Sequence, residues 1–124
     1  MATIALTRDN FGSTINDNEI VFVDFWAAWC GPCRMFAPVF DAASTDHPDI
    51  VFGKVDTDDQ QELAGALEIQ AIPTLMAFRD KYLVFREAGA LNRSRFNQLI
   101  EQVKALDMEK LKADAAARSA EATE

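Results

Sequence analysis

The chain has 124 residues, 49% of them apolar, which is enough for one buried core and too little for two independent domains. Its formal net charge of -8 argues against a nucleic-acid or anionic-membrane binder, because phosphate-rich surfaces repel it. Its two cysteines, separated by two residues, cannot staple distant parts of a secreted fold, residues 1–10 carry no basic and apolar leader, and no apolar stretch approaches a membrane span; the chain reads as cytoplasmic.

In chain order, residues 3–6 predict a weak strand and residues 9–15 a short helix. Ile20–Trp26 is a β-branched and aromatic run, nearly all apolar, and predicts a central strand buried on both faces. A helix over about 33–44 follows, with Pro38 inside it as a source of a kink. Val51–Asp56 predicts a second strand, residues 60–67 a helix, and residues 74–78 a third strand. Residues 83–87 follow closely enough to close a hairpin, although Arg79-Asp80-Lys81-Tyr82 holds no glycine for the turn. Over 92–106, Asn92 can cap a helix whose Phe96, Leu99, Ile100, Val103 and Leu106 form one apolar stripe. The sheet is therefore expected to be mixed. Residues 1–106 make one domain, and 107–124, rich in Ala, Glu, Lys and Asp with only Met108 and Leu111 as large apolar residues, read as a frayed helical extension or a disordered tail. Phe22, Phe25, Phe40, Phe52 and Phe78 read as core, and Asp56, Asp58 and Asp59 as a solvated turn.

The chemistry concentrates at Trp29-Cys30-Gly31-Pro32-Cys33, between the buried strand and the helix. A thiol at a helix N-terminus meets free N–H groups and the positive end of the dipole, which favour the thiolate, so Cys30 is the candidate nucleophile. Cys33, three residues on, shares its helix face and is the candidate resolving thiol, able to close a tight disulfide. Pro32 needs no N–H at a helix start and restrains the loop, while Gly31 lets a substrate backbone come close. The other reading of a CxxC pair is half a zinc site, but there is no second pair and the only histidine, His47, leaves it short of ligands; no metal is expected. Asp24 interrupts the apolar strand on the face of Phe22 and Trp26, where desolvation raises its pKa.

These residues resemble the thioredoxin family. The matching segments are 23–35 with their WCGPC core, Ala37-Pro38, Lys54-Val55-Asp56, Ile72-Pro73-Thr74-Leu75 and Gly89-Ala90-Leu91, in family order over about 3–106. The resemblance implies an α/β thioredoxin fold, a central mixed sheet of about five strands flanked by about four helices. It implies a protein-disulfide reductase that cycles the Cys30–Cys33 pair, binds no cofactor and is recycled by an NADPH-dependent thioredoxin reductase; nothing in the chain resembles a nucleotide-binding glycine fingerprint. It further implies that Asp24 exchanges a proton with Cys33, supported by Lys54, that Pro73 is cis beside the cysteines, and that Trp29, Ile72, Gly89 and Ala90 border the docking surface for disulfide-containing targets. The protein is expected to be a monomer. The competing reading is a binding or assembly subunit that keeps the fold without turnover.

Overall fold

The computed structural model describes residues 2–122. Five strands form one sheet in the order β1-β3-β2-β4-β5: β1 (Thr3–Ala5), β2 (Ile20–Trp26), β3 (Val51–Asp56), β4 (Thr74–Arg79) and β5 (Tyr82–Ala88). β1 and β2 both run parallel to β3, whereas β4 is antiparallel to β2 and β5 to β4, so the sheet is mixed as expected. The middle place of β2 explains its nearly unbroken apolar run, since neither face meets water.

Alternation along β2 sends its residues into two cores. Ile20 and Phe22 face α2 (Gly31–Asp46) and α4 (Arg93–Lys104), while Val21, Val23 and Phe25 face α1 (Phe11–Asp17) and α3 (Gln61–Ala66). On the first face Phe22, Phe36, Phe40, Phe52 and Phe96 interlock with ring centroids 5.4 to 6.3 Å apart, mixing stacked and edge-on pairs. Such pairs add roughly 0.5–1.5 kcal/mol each to the burial of their area. They bind α2, and with it the cysteines at its start, firmly to the sheet.

The α4 stripe is buried at Phe96, Leu99, Ile100 and Val103, and the Asn92 side chain accepts from the Arg95 N–H at 2.8 Å as the expected cap. α2 begins at Gly31, before the expected position 33, because Cys30 itself serves as the cap, and the helix continues through Pro38. The β4–β5 turn forms without glycine: Asp80 and Lys81 both take positive φ, 51° and 75°, the two-residue form whose twist matches the strands. Gly53 on β3 leaves room for Leu6, whose buried side chain an added Cβ would force to shift.

A fifth helix, α5 (Met108–Ala122), occupies the segment expected to be frayed or disordered. Asp107 caps it, accepting from the Lys110 N–H at 3.1 Å, Met108 is buried, and Lys112 reaches Asp80 at 3.0 Å. The buried Met108, the half-buried Leu111 and one ion pair at its first turns dock a segment whose helix propensity is already high. Among the described residues no helix is long and apolar enough to cross a membrane.

Candidate redox site

The site lies where β2 ends. Beyond Trp26 the chain turns through Ala27 and enters α2 at Gly31, so a rigid strand and a 16-residue helix fix both cysteines. Cys30 and Cys33 are joined as a disulfide with Cα atoms 5.2 Å apart, within the ordinary span of such a bond. Cys30 Sγ accepts the Cys33 N–H at 3.2 Å, so one orphan donor of the helix N-terminus points at the sulfur. On reduction the same donor and the helix dipole stabilise a thiolate there.

The partner loop comes from far along the chain. The Ile72–Pro73 peptide is cis, and Ile72 O lies 3.7 Å from Cys30 Sγ. The Gly89 N–H donates to Pro73 O at 2.8 Å, with Gly89 at φ +109°, a conformation that favours glycine. These bonds bring Ile72, Pro73 and Gly89, three of the residues singled out from the sequence, to one place; Ala90 follows Gly89 and is exposed. Pro32 is exposed beside the pair, and Trp29 is 68% exposed.

Trp29 is not free. Its Nε1 donates to Asp58 Oδ2 at 2.9 Å. Asp58 was expected only as part of a solvated turn, and the turn exists, with Asp56 Oδ1 accepting from the Asp58 and Asp59 N–H groups at 3.0 and 3.4 Å. That turn aims Asp58 back at the indole. Nothing local in Asp-Thr-Asp-Asp announces it, because the partner lies 29 positions away.

Asp24 is fully buried, and neither carboxylate oxygen has a hydrogen-bond partner among the described residues. Its pKa is pushed up to about 7, first by desolvation, with the Lys54 charge pulling it down and the Asp41 carboxylate pushing it up. Lys54 stands opposite Asp24 in the β2–β3 register, but its ammonium sits 5.3 Å over the Trp26 ring and forms no ion pair with Asp24. A cleft of about 100 Å³ lined by Trp26, Ala27, Ala28, Cys33, Arg34, Ala37 and Lys54 runs between Cys33 and the lysine. His47 terminates α2 at the end away from the cysteines, and among the described residues no group of three or more His, Cys, Asp or Glu side chains could hold a metal.

A strand–helix junction carrying a CxxC disulfide beside a cis-proline loop defines a thiol–disulfide oxidoreductase, whose redox group is the disulfide itself. A family model described as thioredoxin matches residues 2–121. The putative thioredoxin 2 of Streptomyces coelicolor is 47% identical over 121 residues, covering 98% of this chain and 90% of that protein, and Mycobacterium tuberculosis thioredoxin is 40% identical over 95 residues, covering 75% and 82%. The structure of Plasmodium falciparum thioredoxin superposes with a TM-score of 0.74 at 38% identity, over 81% of this chain and 97% of that one. The chain belongs to the thioredoxin family and works by dithiol–disulfide exchange through Cys30 and Cys33. The family-model match runs past position 106 and into the α5 segment.

Proposed function

We propose that the protein runs this exchange in the reducing direction, as a cytoplasmic monomer that reduces disulfides in other proteins and is recycled by an NADPH-dependent thioredoxin reductase. The observation that carries the reading is Cys30 at the cap of α2, its sulfur facing the Cys33 N–H on one side and Ile72 O on the other. The Cys30 thiolate attacks a target disulfide, and the electrons pass to the departing target sulfur as the mixed disulfide forms. Cys33, one helical turn away, then displaces the target, and proximity makes this second step intramolecular. Its thiol must first lose a proton. Asp24, poised near neutrality, is the acceptor we assign, with Lys54 supporting the charge that develops.

Trp29, Gly31, Pro32, Ile72, Pro73, Gly89 and Ala90 form the rim on which an extended target segment docks. Residues 1–106 carry the whole of this chemistry, and 107–124 contribute stability. The test is insulin reduction by the Cys30→Ser and Cys33→Ser variants. Cys30→Ser is expected to be inactive, and Cys33→Ser to accumulate mixed disulfides because only release is lost. Identical behaviour of the two would reverse or abolish the assigned order.

A further inference from the structure

Next to the proposed docking rim, one turn along α2 from Gly31 and Pro32, stands a thioether sulfur that the exchange chemistry does not use. We propose that Met35 is an oxidation site of the disulfide form, converted to its sulfoxide by a hydroperoxide, and that the sulfoxide weakens docking of target proteins. The proposal rests on the reading above that this rim receives targets.

Met35 lies three residues after Pro32 and four after Gly31 on α2, so the three share a helix face. It is 75% exposed and, with Trp29 at 68%, is one of the two most exposed large apolar side chains of the described residues, the two flanking the disulfide in sequence. The other described methionines are shielded, Met76 of β4 at 1% exposure in the second core and Met108 at 8% at the start of α5. Met1 lies outside the described residues. Oxidation follows access to a polarizable sulfur. While the cysteines are reduced, the Cys30 thiolate competes for peroxide; once they are bonded to each other neither sulfur is a thiolate, and Met35 is the accessible target.

The step balances with the peroxide as oxidant. The thioether lone pair attacks the terminal peroxide oxygen, an S–O bond forms as the O–O bond breaks, and two electrons pass from sulfur to the departing oxygen. That oxygen leaves as water or an alcohol after taking a proton. The product is polar where the rim was apolar, and on docking its oxygen must give up water against an apolar target segment.

The experiment treats the full-length disulfide form with hydrogen peroxide and maps the tryptic peptides by mass. A gain of about 16 Da at Met35 is expected at least about tenfold faster than at Met76 or Met108. The treated protein is then expected to reduce insulin about tenfold more slowly, the effect of one poorly paired polar group, while reduction of its own disulfide by dithiothreitol keeps its rate. Met35→Leu is expected to show no peroxide-dependent loss relative to its own untreated rate. Equal oxidation of all three methionines, an unchanged insulin rate after full oxidation of Met35, a parallel loss with dithiothreitol, or an equal loss in Met35→Leu would each overturn the proposal. Untreated protein that fails to reduce insulin would instead overturn the functional reading, and the mass map would still decide the order of oxidation.

Discussion

The two ends of the sheet treat a buried charge in opposite ways. Where β2 finishes, Asp24 is fully enclosed and both oxygens go without partners among the described residues. At the other end, where β4 finishes, Arg79 has a largely buried side chain whose Nη1 donates to Val103 O, Lys104 O and Leu106 O at 2.9 to 3.0 Å, and whose Nη2 stands 3.8 Å from Glu19. Among the described residues its Nε has no hydrogen-bond partner. Arg79 therefore satisfies carbonyls that the end of α4 would otherwise orphan, and places its cation at the negative end of that helix. The arginine end is built for stability. The aspartate end gives up stability to hold a carboxyl group whose protonation can change near neutral pH.

The sharpest way to break this contrast is to remove each group. Arg79→Ala is expected to cost roughly 3 kcal/mol, since it removes three hydrogen bonds at once and takes the guanidinium from Lys104 O and Leu106 O, while Val103 O keeps the Leu106 N–H at 3.4 Å, with the insulin-reduction rate unchanged below the melting temperature. Denaturant melts decide it; a loss under about 1 kcal/mol would mean that water replaces the guanidinium without penalty.

Asp24→Asn should move stability the other way. Between the ordinary carboxylate value of 3.8 and the folded value of about 7, the unfolded chain is ionised while the folded chain keeps its proton. The folded state then binds more protons, so stability falls as pH rises across that window and levels off above it. Asparagine removes the loss, so the variant is expected to gain roughly 2 kcal/mol at pH 8 and little at pH 4, while its resolving step slows. Melts at both pH values and stopped-flow kinetics check this. A variant destabilised at pH 8 with normal release would make Asp24 a structural residue.

Deleting 107–124 is expected to cost about 1–2 kcal/mol, set by the burial of Met108 and the loss of the Lys112–Asp80 pair, with activity retained. Calorimetry of the shortened chain measures it, and a loss of turnover would move part of the chemistry into α5. The smallest effect is expected at Asp58→Ala, which frees the Trp29 indole and weakens target docking about threefold, close to the worth of one exposed hydrogen bond. It reads out as a raised KM for insulin with kcat nearly unchanged; a changed kcat would place Asp58 in the chemistry itself.

The strands and helices were legible because each carries its own period. Ile20–Trp26 announces a strand closed on both faces, and the stripe from Phe96 to Val103 announces a helix closed on one. The WCGPC run between strand and helix was equally local, since capping, dipole and the three-residue spacing of the thiols all act within one turn. The α5 segment stayed open between a frayed helix and a disordered tail for a related reason: its own pattern is weak, and its docking involves Asp80, which is far from it in sequence, and a buried place for Met108.

Amino-acid order alone thus determined the strands, the helices before α5, their polarity and the reactive pair, because these follow from backbone sterics, apolar spacing and helix-end electrostatics over a few residues. Tertiary structure decided everything that depends on two distant segments meeting. It set Ile72 O at the Cys30 sulfur, tied Gly89 to Pro73, turned Asp58 onto Trp29, and laid Lys54 over Trp26 instead of against Asp24. The physical reason is that desolvation and hydrogen-bond satisfaction are properties of an enclosed volume, and a volume is defined only once the chain has closed around it.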